Sequence, residues 1–371
     1  MTNNQHQKPL IILTAGGTGG HVFPAESLAE ELSARGYELA LITDSRGKDN
    51  YHGKLGEITN YSVLAGALVG KSKWFKIKSL FKTGIGVLQA ALILLKKKPI
   101  CVVGFGGYAS FPCCMAAILL GIDLVIHEQN SVMSRTNRFL SKYATFIGQS
   151  FNNVKYTPSH TKKILTGMPI RKNIAELNKR IYTPYNDKNK IQLLIIGGSQ
   201  GAKIFGDIIP AAVCMLPEKI QKRMQIFHQC RKDDIESIKA AYGDCLAELT
   251  ISHFFENMAD LYAQTSLIIS RAGASSIAEI TATKLPSVII PLPTAADDHQ
   301  TTNALAIEEN KAGYVVAQKD FTSEKLCTLL SDVLTKENEL IKMSDNAGKL
   351  SIVDASFRLA NAIEKEIIVK K

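Results

Sequence analysis

The chain has 371 residues, of which 46% are hydrophobic and 21% charged, and its formal net charge is +10. This length exceeds one ordinary core and suits two domains. The composition excludes a disordered or collagen-like chain, and the positive excess requires an acidic partner: nucleic acid, a phosphorylated substrate or an anionic membrane.

The seven cysteines, Cys101, Cys113, Cys114, Cys214, Cys230, Cys245 and Cys327, are odd in number and include no Cys-x-x-Cys pair. Their mostly apolar surroundings argue against a disulfide framework or a zinc site and for a reducing compartment. The first apolar run, Leu10–Leu13, stops at Ala15-Gly16-Gly17 and reads as a buried strand, not a signal peptide. No unbroken run of about 18 apolar residues is present, so no spanning helix is expected.

Strand-like runs then alternate with helix-length amphipathic segments. Pro9–Thr14 predicts a strand, Phe23–Arg35 a helix that stops at Gly36, and Glu38–Thr43 a second strand. Further strands fall at Ile100–Gly104, Leu124–His127 and Thr145–Gly148. Near Asn178–Lys190 the pattern gives way to a polar, turn-rich stretch that reads as a linker. It restarts with Ile191–Ile196, followed by strands at Met224–His228, Leu249–Ser252, Leu267–Ser270 and Ser287–Pro291. The fold class expected is α/β, with two doubly wound Rossmann-like domains facing across a cleft. Ligands bind such sheets outside the carboxyl ends of the strands.

Three glycine-rich segments follow predicted strands: Gly16-Gly17-Thr18-Gly19-Gly20-His21, Gly104-Phe105-Gly106-Gly107-Tyr108 and Gly197-Gly198-Ser199-Gln200-Gly201. Glycine lets the backbone approach a ligand, and the amides opening the next helix attract anions. One such loop is equally well explained as a tight turn; three at strand ends favour diphosphate binding. The dinucleotide fingerprint fails, because Val22 stands where its third glycine belongs, although Asp44 ends the second strand as a ribose-binding acid would. There is no Gly-Lys-Ser/Thr, which excludes a P-loop.

Gly-Gly-Thr-Gly-Gly-His at 16–21, His-Glu-Gln-Asn at 127–130, Gly-Gly-Ser-Gln-Gly-Ala at 197–202, and Ser275–Glu279 with Gln300–Asn303 together resemble the MurG family of glycosyltransferases, in order along nearly the whole chain. The resemblance implies the GT-B fold and an inverting transfer of N-acetylglucosamine from UDP-GlcNAc to the muramoyl 4-hydroxyl of lipid I, forming lipid II. It implies an acceptor and membrane-binding domain over 1–170, a UDP-sugar domain over 171–349, and a C-terminal helix (350–371) returning to the first. No cofactor is implied. The partners are UDP-GlcNAc, polyprenyl-linked lipid I and the cytoplasmic face of an anionic membrane, where the protein sits peripherally.

By resemblance, Ser199, the amides around Gln200, and Arg171 meet the donor diphosphate, and a planar guanidinium fork suits phosphate. Thr18 and Gly19 also fall on the donor side. Phe255, Arg271, Ala274, Ser275, Ser276 and Glu279 recognise the nucleoside, with Glu279 accepting from the ribose hydroxyls. Asn130, Gln300 and Asn303 reach the sugar; His299 stands where the family often has a second glutamine. Gly16, Gly17, Gly20, Gly106, Gly107 and Tyr108 form the acceptor-diphosphate loops.

His21 is the first choice of base, since it ends the first glycine loop and its type titrates near neutrality. Capping a helix or binding the acceptor diphosphate are its alternatives. Glu128 and His127 are the runners-up, His127 the weaker because a lone buried histidine is usually structural. Asp233-Asp234 and Asp297-Asp298 are adjacent pairs without metal-site spacing, so no metal is expected.

Lys71–Lys98 carries eight lysines and no acid, and it holds the only tryptophan. Lys73, Trp74, Phe75, Lys76 and Phe81 suit an interfacial anchor on anionic lipid; no nucleic-acid module is visible. Rival functions are transfer of another sugar to another lipid such as diacylglycerol, a UDP-GlcNAc 2-epimerase, and a nucleotide-sugar sensor without turnover.

Overall fold

The computed structural model describes residues 9–16, 19–45, 51, 53–66, 73–185, 190–198, 201–245 and 248–369. Gly17, Thr18, Ser199 and Gln200 lie outside the described residues, as does the side chain of Lys73. The chain divides into two compact units, one of Met1–Arg171 with Asp354–Lys371, the other of Lys172–Val353.

In the first unit, β1 (Leu10–Thr14), β2 (Glu38–Thr43), β3 (Thr59–Ser62), β4 (Cys101–Gly104), β5 (Asp123–Glu128), β6 (Phe146–Gln149) and β7 (Lys163–Leu165) form a parallel sheet of order β3-β2-β1-β4-β5-β6-β7. The period-two alternation of a strand sorts its side chains between the two faces. Ile11 and Leu13 pack with Leu28 and Leu32 of helix Gly19–Ala34, while Leu10 and Ile12 pack with Ala90, Leu94 and Ala116. Burial on both faces explains why the strands read as continuous apolar runs.

The C-terminal helix Ala355–Ile363, continued by a π-helical turn at Glu364–Ile368, completes the first face. Leu359, Ile363 and Ile367 sit in the same core as Leu28. Arg35 fastens it by an ion pair to Glu364 at 2.7 Å and by stacking over Phe357 at 4.9 Å.

In the second unit, β8 (Ile191–Ile196), β9 (Met224–Gln229), β10 (Glu248–Ser252), β11 (Leu267–Ser270), β12 (Ser287–Ile289) and β13 (Gly313–Val315) form a parallel sheet of order β10-β9-β8-β11-β12-β13. In both sheets the order reverses beside the first strand, β1 or β8, which is where open α/β sheets bind ligands.

Three readings of the sequence change. The polar stretch taken as a linker is packed, over residues 178–185, onto the second unit. Asn178 Nδ2 donates to the Ala282 carbonyl at 3.0 Å, and Tyr182 is buried with its hydroxyl donating to the Ser266 carbonyl at 2.5 Å. The expectation of no disulfide is corrected at one pair: Cys214 and Cys245 are bonded, with S–S 2.15 Å and Cα atoms 5.5 Å apart. Helix Lys203–Cys214 ends beside helix Ile235–Tyr242, and Gly243 at φ +51° turns the chain back there. A separation of 31 residues gave no sign of this. Finally, helix Trp74–Lys97 is long and apolar enough to cross a membrane by length and composition. A search for unbroken apolar residues passes over it because Lys82, Thr83 and Gln89 interrupt the run.

Candidate functional site

Two glycine turns meet at the carboxyl ends of β1 and β4. Phe105 N–H donates to the Thr14 carbonyl at 3.0 Å, which ties the second turn to the end of the first strand. A Cβ on Gly16 would stand 2.2 Å from the Cβ of Ala109, so no side chain fits between the turns. Gly106 and Gly107 have φ of +87° and +75°, a conformation that only glycine adopts without strain. Helix Gly19–Ala34 starts here, its first turn containing Gly20 and His21. The Phe23 ring lies against Gly19, where a Cβ would come 2.8 Å from it, so only glycine fits at the start of this helix. Tyr108 is half-buried at the same edge. The Arg171 guanidinium lies 5.0 Å from the ring centroid of Phe23, on the first two turns of that helix.

The segment after β5 supplies the remaining polar groups of this unit. His21 Nδ1 lies 3.2 Å from Gln129 Oε1. Gln129 Nε2 lies 3.2 Å from His127 Nδ1, and His127 Nε2 lies 3.0 Å from the Gly167 carbonyl. His127 is fully buried, and burial pushes its pKa down to about 4.

Glu128 is also fully buried. It accepts from the backbone N–H of Asn130 at 3.0 Å and of Ser134 at 3.1 Å, and from Asn137 Nδ2 at 2.8 Å. Burial raises its pKa, and these hydrogen bonds oppose the rise. Asn130 remains half-exposed at the head of this loop.

The second unit repeats the arrangement at β8. A Cβ on Gly197 would lie 2.4 Å from the amide nitrogen of Ala202, and Gly198 and Gly201 have φ of +82° and +66°. Gly201 N–H closes the turn on the Gly198 carbonyl at 2.9 Å.

After β11, helix Ala274–Ala282 opens with Gly273 as its cap. Ala274, Ser275 and Ser276 form its first turn, where orphan amides face outward. Glu279, further along, is buried and accepts from the Tyr262 hydroxyl at 2.9 Å. Gln300 Oε1 accepts from Ala272 N–H at 3.2 Å and Leu292 N–H at 3.0 Å. Asn303 has no exposed surface, and its Nδ2 donates to the Ala272 carbonyl at 3.1 Å. Arg271 donates to the Ile290 carbonyl at 3.1 Å and to Gln318 Oε1 at 2.8 Å. These three side chains thus fix the turn that precedes the helix. Phe255 stands apart, half-buried beyond β10 with its ring 6.1 Å from that of Phe227. A cavity of about 450 Å³ lined by Lys311, Tyr314 and Lys342 runs along the edge strand β13, and none of the expected site residues lines it.

Sequence reading missed Gln129, Asn137 and Tyr262. One signal could have found Gln129: strand alternation carries His127 and Gln129 to one side and Glu128 to the other.

The basic segment forms helix Lys73–Lys97. Trp74, Phe75, Lys76 and Phe81 are all exposed, Trp74 at 81% and Phe81 at 71%. With Ile77, Leu88, Leu92 and Leu95 the three aromatic side chains leave an apolar ridge in solvent at helical spacing. The opposite stripe, Ser79, Thr83, Ala90 and Leu94, is buried. A Cβ on Gly86 would fall 1.8 Å from the Leu64 carbonyl oxygen, and Gln89 Oε1 accepts from Leu64 N–H at 2.8 Å. The helix is therefore docked along the body of its unit.

Two parallel doubly wound sheets, each with glycine turns and a helix N-terminus at the switch point, are the architecture of GT-B glycosyltransferases, and the family models place this chain among them. Residues 11–149 match the glycosyltransferase family 28 N-terminal domain, and residues 192–359 the family 28 C-terminal domain. A relative from Paramagnetospirillum magneticum, the UDP-N-acetylglucosamine--N-acetylmuramyl-(pentapeptide) pyrophosphoryl-undecaprenol N-acetylglucosamine transferase, is 42% identical over 96% of each chain. The protein of the same name from Granulibacter bethesdensis is 37% identical over 99% of this chain and 96% of its own. The crystal structure of Acinetobacter baumannii MurG superposes with a TM-score of 0.76 at 30% identity, covering 96% of this chain and 99% of that one. The chain belongs to the MurG family.

Proposed function

We propose that this protein transfers N-acetylglucosamine from UDP-GlcNAc to the 4-hydroxyl of the muramoyl sugar of undecaprenyl-pyrophosphoryl-MurNAc-pentapeptide, converting lipid I to lipid II. The observation that carries this is 42% identity along 96% of the chain to a relative named for that reaction, joined to a glycine turn at the switch point of each sheet.

The reaction is a single displacement. The acceptor oxygen forms a bond to the anomeric carbon as the bond from that carbon to the diphosphate breaks. UDP leaves with the electron pair, and the hydroxyl proton passes to a base. Negative charge grows on the diphosphate, so donors already aimed there lower the barrier. We assign this to the amides at Ser199 and Gln200, the first turn Ala274–Ser276, Arg171, and Thr18 and Gly19. Glu279 takes the ribose hydroxyls, and the Phe255 backbone takes the base. Gln300 and Asn130 contact the sugar; Asn303, buried, bonds the carbonyl of Ala272, the residue whose N–H Gln300 accepts. The turns at Gly16, Gly17, Gly20, Gly106, Gly107 and Tyr108 take the acceptor diphosphate.

The proton goes to His21. Glu128 is the poorer base, since its carboxylate is sealed from solvent and occupied by Asn130, Ser134 and Asn137. Its role is to build the loop that presents Asn130.

We assign the ridge Trp74–Leu95, with Lys76 and its neighbouring lysines, to the cytoplasmic face of an anionic membrane, with no nucleic-acid partner. The buried contacts along Ser79, Gly86 and Leu94 favour a helix lying on the surface over one that crosses, since crossing would strip it from its own unit. Release of UDP from UDP-GlcNAc tests the function. Release is expected with a lipid I analogue and not with diacylglycerol or without acceptor. Acceptor-independent conversion of the donor, or none at all, would overturn it.

A further inference from the structure

The hydrogen bonds behind His21 form a chain whose far end is a backbone carbonyl, and that carbonyl dictates the direction of every bond in it. A carbonyl oxygen only accepts. His127 Nε2, 3.0 Å from the Gly167 carbonyl, therefore carries a proton. His127 is sealed from solvent, with its pKa pushed down to about 4, so at neutral pH the ring has one proton only. Its Nδ1 then holds a lone pair, and what faces it must donate.

The group facing it, at 3.2 Å, is the Gln129 side-chain amide. The NH2 end must be the one turned inward. The same nitrogen also donates to the His127 backbone carbonyl at 3.1 Å, which independently fixes the amide orientation. The Gln129 oxygen is then turned outward, 3.2 Å from His21 Nδ1. An amide oxygen accepts, so the proton of neutral His21 sits on Nδ1 and its lone pair on Nε2.

The second edge of the ring is the relevant one. A Cβ added at Gly107 would come 3.4 Å from His21 Cδ2 and 3.6 Å from Nε2. The Nε2 edge thus borders the second glycine turn, within van der Waals reach of Gly107.

We propose that Gln129 and His127 are positioning residues that lock His21 into the Nδ1–H tautomer, leaving Nε2 as the proton-accepting atom beside the glycine turns. This rests on the reading of His21 as the base, and it names the atom that acts. When Nε2 takes the acceptor proton, the imidazolium still donates from Nδ1 to the Gln129 oxygen. Nothing has to rotate, and His127, kept neutral by burial, adds no opposing positive charge. A carboxylate-backed histidine would hold its tautomer by charge; here a neutral amide does so by donor and acceptor matching alone.

The test is the 15N spectrum of the histidine side chains in the full-length protein near pH 7.5, with the His21 signals identified by their loss in His21→Gln. The expected result is a protonated-type shift at Nδ1 and a lone-pair shift at Nε2 of His21, and the reverse pattern or an averaged one would overturn the proposal. In Gln129→Met, which keeps the volume and removes both hydrogen bonds, the His21 signals are expected to average. The kcat for UDP release is expected to fall roughly 10- to 100-fold, with KM for UDP-GlcNAc unchanged. An unchanged kcat would also overturn it. The spectrum does not depend on turnover: the stated tautomer in a protein without transferase activity would leave the chain of hydrogen bonds standing and refute the function instead.

Discussion

Replacing Gly16 by alanine adds one methyl group at the point where the two glycine turns of the first unit touch. That carbon would sit 2.2 Å from the Cβ of Ala109 and 3.7 Å from its Cα. Non-bonded carbons rest at about 3.5–4.0 Å, so the turns must part by more than 1 Å, on the order of 1.5 Å. Overpacking of this kind costs about 1–3 kcal/mol. For a unit of this size each kcal/mol lowers Tm by about 2–4 °C, so a fall of roughly 2–12 °C is expected. The functional loss should exceed the stability loss. His21 follows Gly16 by five residues and abuts Gly107, so parting the turns moves His21, the proposed base, relative to the loop proposed for the acceptor. A misplacement of about 1 Å costs on the order of 100-fold in rate. The assay is kcat/KM for UDP release at a temperature where differential scanning calorimetry shows the variant folded. Gly84→Ala is the control, since a Cβ there meets nothing within 4 Å and alanine favours its helix. Gly16→Ala activity within twofold of wild type would refute the claim that close contact of the two turns sets the site.

Two further outcomes follow from exposure and burial. Trp74 is 81% exposed, so Trp74→Ala combined with Lys73→Glu should leave Tm unchanged while lowering affinity for anionic vesicles by roughly 10- to 100-fold, from lost apolar area and about 1 kcal/mol per cation; vesicle co-sedimentation checks this, and undiminished binding would count against the membrane assignment. His228 is buried in the second unit with its pKa pushed down to about 4 by desolvation. Its unfolded value is about 6.5, so the unfolded chain binds more protons between these values, and the stabilisation is whole above about pH 6.5 and lost as pH falls toward 4. His228→Phe should flatten that fall by roughly 3 kcal/mol, read from urea unfolding at a series of pH values, and an unchanged slope would show that His228 is not held neutral.

The inner strands were legible because both faces of each sheet are covered there, which turns them into short apolar runs punctuated by glycine; β3, β7 and β13, partly exposed at the sheet edges, were not read. Ile11–Leu13 before Gly16 and Leu193–Ile195 before Gly197 are the plainest cases. The docked helix was half legible: Trp74 and the lysines pointed to an exposed basic and apolar face, but a length criterion based on unbroken apolar residues could not see past Lys82. The chemistry of His21 was the least legible part. Its support comes from Gln129 and His127, more than 100 residues away, and ends on a backbone carbonyl at Gly167, which has no sequence signature. Asn303 makes a contact that its spacing does not announce. Its helical register with Gln300 suggested a shared sugar-facing surface, yet the turn after β11 needs a donor for the Ala272 carbonyl, and that need buries the amide. The Cys214–Cys245 bond was invisible because two helix ends, not a spacing, bring the sulfurs together.

The most direct measurement is the structure of the product formed from UDP-GlcNAc and a vesicle-embedded lipid I analogue. Mass spectrometry should show one N-acetylhexosamine added, and the anomeric proton coupling should report a β-linkage to the muramoyl 4-oxygen, inverted from the α-linked donor. A product with retained configuration, or donor consumed to free sugar or an epimer with the lipid unchanged, would contradict the proposed transfer.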